Sequence, residues 1–196
     1  MSEESTPVSN VEGFSLGSGM DELLRKASIE YETQGSAQKI FTPNELKTLV
    51  SAFLNSKQVK SRFAERVESL DLGEVQIQRD VAKLDVTAHG VRVNRFIKLN
   101  VVDFGLDITN SRTPGKLDVV AKSDNPIVEN LVNRRLRGGD IDPQTGEPRP
   151  PVDLKEIVTG YVRERLKEDE AEISMSILGG AIIVAIENPH YLRSME

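Results

Sequence analysis

The 196-residue chain contains no cysteine and no tryptophan, and its aromatic residues are limited to six Phe and three Tyr. Without cysteine there is no disulfide, thiol nucleophile, iron–sulfur cluster or cysteine-bound zinc. The absence also fits a reducing compartment. Because aromatic side chains are so few, the core must be built mainly from Leu, Ile, Val and Ala.

Long apolar runs are missing as well. The longest is Ala181–Ile186, whereas a helix that spans a bilayer needs roughly 20 apolar residues. Residues 1–18 contain neither an apolar run nor a basic start, so they do not have the pattern of a secretory signal peptide. We therefore expect no integral membrane insertion and a cytoplasmic location.

The charge is negative overall but unevenly distributed. The net charge is −6, yet residues 91–137 carry nine bases and five acids, whereas residues 138–196 carry twelve acids and six bases. Proteins that bind nucleic acids rely on clustered Lys and Arg, so the acidic total predicts no nucleic-acid partner. Basic and acidic segments of this kind could also pair between subunits, which would favour self-association.

Residues 1–18 are rich in Ser, Glu and Gly and have few large apolar side chains, which predicts a disordered acidic tail. Residues 19–196 are expected to form a single domain. Apolar residues at helical spacing predict helices over the following ranges: 21–31, 43–54, 57–66, 126–137 and 152–167. The clearest helix start is Thr42-Pro43-Asn44-Glu45, which matches a capping box with proline at the first position.

Between about residue 68 and residue 121 the apolar period changes to two, which predicts an antiparallel meander with one wet face. We expect a turn at His89-Gly90 and a bulge near Arg95-Phe96, where the alternation slips. A further hairpin is expected around Gly179-Gly180, with Ala181–Ile186 covered on both faces. The predicted fold is α+β: a curved antiparallel β-meander packed against two or three amphipathic helices.

Two helix starts resemble each other. Residues 43–54 read PNELKTLVSAFL and residues 151–162 read PVDLKEIVTGYV, which match at a constant offset of 108. One interpretation is an internal duplication with halves 41–121 and 150–188. The alternative is two amphipathic helices that share a pattern by chance. A duplication predicts that the two helices pack equivalently, with Phe53 and Tyr161 as matching buried anchors.

Residues that carry out catalysis are scarce. The two histidines, His89 and His190, are far apart in the sequence, and there is no phosphate-binding Gly-Lys-Ser/Thr loop and no Gly-x-Ser-x-Gly elbow. We therefore expect a protein that is not an enzyme, with no cofactor and no metal.

A helix that opens with Thr42-Pro43-Asn44-Glu45-Leu46 and leads into a long bulged meander resembles the tubular lipid-binding (TULIP-like) domains. The resemblance covers about residues 41–108 and, in weaker form, residues 150–186. It implies a long helix packed into a strongly curved sheet, with a groove that accepts acyl chains. Bacterial members are usually exported or membrane-tethered, and this chain shows no export segment.

The resemblance and the aliphatic composition together predict a non-catalytic binding module for an apolar or amphipathic, lipid-like ligand. The expected groove wall consists of residues on apolar stripes: Leu46, Val50, Phe53, Leu99, Val101, Leu154, Val158 and Val162. The basic cluster Arg134, Arg135 and Arg137, at the end of a predicted helix, could hold an anionic head group. Two alternatives remain open: a fully packed core without a cavity, and a structural protein that forms a homo-oligomer or particle subunit.

Overall fold

The computed structural model describes residues 15–63, 66–139, 141–142 and 145–193. These residues form an α+β fold, as predicted. In chain order the elements are α1 (Ser18–Glu30), β1 (Ser36–Phe41), α2 (Pro43–Asn55), α3 (Lys57–Phe63), β2 (Ser69–Gln78), β3 (Val81–Arg92), β4 (Lys98–Asn110), β5 (Leu117–Lys122), α4 (Pro126–Arg137), α5 (Leu154–Leu166), β6 (Glu172–Leu178), β7 (Ala181–Glu187) and α6 (Pro189–Arg193).

The strands make two antiparallel sheets. The predicted meander is the four-stranded sheet, in the order β2-β3-β4-β5, and the second sheet has the order β1-β7-β6. Helices α2 and α4 pack on the four-stranded sheet, whereas α1 and α5 pack on the three-stranded one. One apolar core runs beneath both sheets, so the described residues share a single hydrophobic interior.

Capping side chains determine where two of the predicted helices begin. The Thr42 hydroxyl accepts a hydrogen bond from the Glu45 N–H at 3.3 Å, and the Glu45 carboxylate accepts one from the Thr42 N–H at 2.8 Å. Both bonds use amides that a helix N-terminus leaves unpaired. Asn125 caps α4 in a similar way, through the Ile127 N–H. The period change at about residue 68 coincides with the start of β2.

Two details of the meander were predicted wrongly. Strand β3 runs through His89 and Gly90 without a turn, and Arg95-Phe96 lies in the loop that joins β3 to β4. Gly90 has a φ of +63°, so the inward side of β3 changes from Ala88 to Val91. The register shift is instead in β2, between Leu72 and Val75, which is where the bulge lies.

Strand β1 was not predicted. It pairs with β7 over its whole length, from Ser36 opposite Glu187 to Phe41 opposite Ile182. Its inward side alternates Ala37, Lys39 and Phe41, and Lys39 is only half-buried. Because a lysine occupies the inward phase and Ile40 on the other side is exposed, the strand has no apolar alternation that a sequence pattern would show.

The predicted disordered tail, residues 1–18, lies mostly outside the described residues. Its last four residues correct the prediction. Leu16 is 1% exposed in the core, and α1 already begins at Ser18.

Strand β7 is central in its sheet, between β1 and β6. Its residues alternate between buried positions, such as Val184, and half-buried ones, such as Ile183. One face is therefore fully covered and the other only partly, which is less burial than its apolar run predicted.

Candidate functional site

An apolar crevice separates the four-stranded sheet from the helices that cover it. We define the crevice by its lining, which is aliphatic and aromatic apart from two arginines: Leu54, Phe63, Arg66, Val67, Leu70, Ala88, Val91, Phe104, Leu106, Val128, Leu131, Val132, Arg135 and Leu136. Its volume of about 20 Å³ has room for about one water molecule, so the side chains that line the crevice nearly fill it.

A wider groove opens beside it at the surface. The groove has a volume of about 380 Å³ and is lined by the end of α2, by α3 and by the start of β2, through Ser51, Leu54, Asn55, Lys60, Phe63, Val67, Glu68, Ser69, Leu70 and Leu72. Four of these residues, Leu54, Phe63, Val67 and Leu70, also line the crevice. These four shared residues form one continuous apolar surface, which we call the apolar seam, and the groove is its solvent-facing side.

A third cavity, the basic cleft, lies next to the groove. It has a volume of about 480 Å³ and is lined by Arg66, Val67, Glu68, Gly90, Arg92, Asn94 and Arg95. Val67 lines all three cavities, and Arg66 lines both the crevice and the cleft. An apolar seam and a cationic surface therefore meet at residues 66–68.

Hydrogen bonds hold the side chains of the cleft in place. The Arg66 guanidinium donates to the Val93 carbonyl at 3.1 Å, which ties the segment before β2 to the end of β3. Glu68 accepts a hydrogen bond from the Lys98 ammonium at 2.6 Å. This bond, with the charge of Lys98, holds the pKa of Glu68 below its ordinary value, so Glu68 is ionised and paired at neutral pH.

Gly90 allows this arrangement. Its φ of +63° is strained for residues with a side chain, and a Cβ there would lie 2.3 Å from the Glu68 carboxylate. A side chain at position 90 would therefore displace Glu68 from the cleft.

Helix α3 is fixed over the seam by a buried arginine. Arg62 is 6% exposed, and its guanidinium donates to the Arg135 carbonyl at 3.2 Å near the end of α4. Because α4 leaves its last carbonyls without partners inside the helix, this bond joins α3 to α4 across the crevice.

The predicted wall residues do not come together around a cavity. The α2 and α5 residues are each at most 1% exposed in the core: Leu46, Val50, Phe53, Leu154, Val158 and Val162. Of these, Phe53 also lines a cavity between β5 and the start of α5. Leu99 is half-buried against the core. Val101 is 56% exposed and points to the outer side of β4, so its assignment to a helix–sheet groove is wrong.

The predicted basic cluster is also divided. Arg135 lines the crevice, Arg137 lines a separate cavity between β5 and the start of α5, and Arg134 is on the exposed face of α4. Of the three, Arg135 is the residue that lies at the apolar seam.

The residues at the junction of the cavities, above all Arg66 and Val67, were not predicted from the sequence, and neither was Leu70, which lines the crevice and the groove. A signal was present in the charge pattern. Residues 57–66 carry four bases and one acid, and residues 92–98 carry three bases and no acid. In the structure, Arg66 from the first segment and Arg92 and Arg95 from the second line the basic cleft.

Each histidine is paired with an acid. His89 Nε2 lies 2.8 Å from Asp71 Oδ2 on the outer side of the four-stranded sheet, and His190 pairs with Glu170. Within the described ranges, no three His, Asp or Glu side chains are close enough to share a metal ion. Among the same residues, no helix is both long enough and apolar enough to cross a bilayer.

A comparison of the chain with known protein families, with curated proteins and with solved structures finds no match. The resemblance to TULIP-like domains therefore stays a prediction, and the interpretation of the site depends on its geometry.

Proposed function

We propose that the protein is a non-catalytic binding module for an amphipathic anion, with the ligand's apolar portion in the groove and its acidic head group near Arg66. One observation carries the proposal. The groove shares the four apolar residues Leu54, Phe63, Val67 and Leu70 with the crevice, directly beside the basic cleft. Small-molecule sites typically combine an apolar lining with a few polar groups that orient the ligand.

The size of the groove limits the ligand. Each buried methylene contributes about 0.8 kcal/mol, whereas association itself costs about 4–15 kcal/mol. Short chains should therefore bind weakly and longer chains more tightly. Chains longer than the groove can gain further affinity only by entering the crevice, which in turn requires α3 or α4 to move outward.

The head group would meet two cations beside the apolar lining. Arg66 lies between crevice and cleft, and Lys60 lines the groove. Arg66 uses one nitrogen for the Val93 and Arg92 carbonyls, and a guanidinium has five N–H donors. Carboxylates and phosphates are both good acceptors for such donors, so the shared chemistry is an anionic head group on an apolar chain.

Thermal melts with three ligand series would test the proposal: fatty acids, alkyl phosphates and fatty alcohols of increasing chain length. A ligand at a hundredfold excess over its Kd stabilises the fold by about 2.7 kcal/mol, or about 5–10 °C in a domain of this size. We expect the acids or phosphates to raise the melting temperature more than the alcohols. The preferred acidic series identifies the head group.

A matched pair of variants locates the site. Leu70 and Ile77 are both half-buried residues on the inward side of β2, but only Leu70 lines the groove among the cavities described above. Leu70→Gln should abolish the shift caused by the ligand, whereas Ile77→Gln should keep it. Equal shifts in the two variants, or flat melts in all three series, would overturn the proposal.

Self-association is the alternative outcome of these measurements. A discrete multimer seen by native mass spectrometry, with no co-purified ligand and no shift in the melts, would favour a structural or assembly protein. The cytoplasmic location and the absence of a nucleic-acid partner stay predictions.

A further inference from the structure

The loop that joins β3 to β4, residues 93–97, exposes large apolar side chains. Phe96 is 81% exposed and Ile97 is 48% exposed, and Val101 on the neighbouring strand is 56% exposed. Single exposed apolar residues are common on protein surfaces. Two adjacent ones at the end of a hairpin form a local apolar tip.

This tip has a defined conformation. The Val93 N–H donates to the Ile97 carbonyl at 3.0 Å, which closes the loop. The Asn94 side-chain oxygen accepts from the N–H groups of Phe96 at 2.8 Å and Ile97 at 2.9 Å. Because these bonds already order the loop, little conformational entropy is lost when Phe96 and Ile97 dock on another surface.

Cations surround the apolar tip. Residues 92–98 contain Arg92, Arg95 and Lys98 and no acid, and the Arg95 guanidinium lies 4.6 Å from the centre of the Phe96 ring. The neighbouring basic cleft adds Arg66, and the carboxylate among the residues that line it, Glu68, is paired with Lys98. The end of the hairpin is therefore positive on a protein whose net charge is −6.

We propose that the end of the β3–β4 hairpin docks the protein onto the surface of an anionic phospholipid bilayer. Phe96 and Ile97 would enter the interfacial region, and Arg92 and Arg95 would contact the phosphate groups, while Lys98 stays paired with Glu68. Surface binding of this kind combines buried apolar area with attraction of basic residues to anionic lipid. This docking does not require the groove to hold a ligand.

The side chains favour a bilayer over a nucleic acid. Single-stranded nucleic acids bind aromatic faces on which successive bases stack, but Phe96 is the one aromatic residue among residues 92–101, and Arg95 already lies over one face of its ring. Ile97 and Val101 have no π-face, so they gain nothing from stacking, whereas hydrocarbon accommodates both side chains.

The experiment is co-sedimentation with two kinds of vesicle, phosphatidylcholine alone and phosphatidylcholine mixed with phosphatidylglycerol. We expect the wild-type protein to bind the mixed vesicles and to lose binding as salt is raised, because screening shortens the Debye length from about 10 Å at 0.1 M to about 3 Å at 1 M. Phe96→Ser should weaken binding about tenfold. Arg95→Glu should weaken it at least as much.

Leu178→Ser is the matched control, since Leu178 is 67% exposed next to the turn of the β6–β7 hairpin. It should bind vesicles as the wild type does. All three variants change exposed residues, so unchanged melting temperatures would show that they fold.

Three results would overturn the proposal: equal binding to neutral vesicles, equal losses in Phe96→Ser and Leu178→Ser, or tighter binding to single-stranded nucleic acid than to mixed vesicles. The two proposals can fail separately. Phe96→Ser should retain the thermal shift with soluble ligands, and Leu70→Gln should retain vesicle binding.

Discussion

The two helix-and-hairpin units, α2 with β2–β3 and α5 with β6–β7, have similar cores but different surfaces. Each helix packs against the first strand of the hairpin that follows it. Most residues at matching steps of the two helices are buried alike, as in the pairs Leu46 and Leu154 or Phe53 and Tyr161. Leu49 and Ile157 differ, because Leu49 is buried and Ile157 only half-buried. Most of the apolar positions that the two segments share therefore have the same packing role in the core.

The polar residues that the two segments share have different roles at the two helix starts. In α2, Pro43 is the first helical residue and Glu45 completes the capping box. At the matching positions, Pro151 lies before α5 and Asp153 is itself the N-cap, accepting from the Lys155 N–H. Helix α5 therefore starts later than α2 in the repeated pattern, and the matching proline and acidic residues have different structural roles in the two helices.

The hairpins have the same edges but differ beside them. In each, the first strand, β2 or β6, is the outer strand of its sheet and the second strand is enclosed, but β2 carries a bulge. Helix α3 has no counterpart after α5. The groove forms between α3 and β2, so the candidate site occurs where the first unit departs from the second.

The largest effects should come from the matching anchors. Phe53→Ala and Tyr161→Ala should each lower the free energy of unfolding by about 3–5 kcal/mol, the usual result of truncating a buried aromatic residue. The melting temperature should fall by about 6–20 °C in a domain of this size. Phe96→Ala, at an exposed aromatic residue, is the control and should melt as the wild type does. If one anchor could be replaced without effect, the two helices would not be equivalent.

The contact between the two sheets gives the next effect. The Asn110 amide at the end of β4 donates to the Ile177 carbonyl and accepts from the Ile177 N–H, both at 2.8 Å. Asn110→Ala leaves both backbone groups of Ile177 without these partners, which should lower stability by about 2 kcal/mol.

The matched variant is Asn133→Ala, because Asn133 on α4 makes the same pair of bonds to Ala121 in β5, away from the contact between the sheets. Hydrogen exchange at individual backbone amides distinguishes the effects of the two variants. Asn110→Ala should speed exchange at the Ile177 amide, and Asn133→Ala should speed it at Ala121. If the exchange rate rose equally at both amides in either variant, the hydrogen bonds between Asn110 and Ile177 would not be a local link between the two sheets.

Much of the fold could be predicted because its helices and long strands show clear apolar periods. The predicted helix at 43–54 corresponds to Pro43–Asn55, and the meander begins within a residue or two of its predicted start. Strand β1 could not be found, since Lys39 takes an inward position where it pairs with Glu22 and Glu45. The pairing of β1 with β7 is decided by residues almost 150 positions away.

The candidate site was less predictable than the fold. Apolar stripes on α2 and α5 indicate burial, but they do not distinguish a packed core from a cavity wall, and Leu154 and Val158 proved to be fully packed. The groove depends on α3, whose few apolar residues gave little signal. Its neighbour Arg66 becomes relevant only when the end of β3 is folded beside it.

A smaller effect should distinguish the units at another matching pair, Ser51 and Thr159. The Thr159 hydroxyl is buried and has no hydrogen-bond partner among the described residues, whereas Ser51 lines the groove. Thr159→Val keeps the shape and removes the unpaired group, so it should stabilise by about 1 kcal/mol and raise the melting temperature by about 2–4 °C. Ser51→Ala should stay within about 0.5 kcal/mol of the wild type. A destabilised Thr159→Val variant would indicate a partner for the hydroxyl.

The smallest effect concerns how the two helices are capped. Burial raises the pKa of Glu45, but hydrogen bonds from the Thr42 N–H, the Thr42 hydroxyl and Lys39 lower it more, so the pKa lies below its ordinary value of 4.5. A carboxylate with a lowered pKa contributes stability above its unfolded pKa, and this contribution is lost as the pH falls through the folded pKa. Glu45→Gln should therefore melt about 1–2 °C below the wild type at pH 7, and the two melting temperatures should converge as the pH falls below the ordinary pKa of Glu and through the lowered folded pKa. At pH 7, Asp153→Asn is the matched variant in the second unit. Asn caps a helix about as well as Asp does, so the substitution removes mainly the ion pair of Asp153 with Lys116. Partly exposed ion pairs contribute little, so this variant should melt close to the wild type. If the difference between Glu45→Gln and the wild type stayed constant from pH 7 to pH 3, the cap of α2 would not depend on an ionised Glu45, and the two helix starts would be more alike than their geometry indicates.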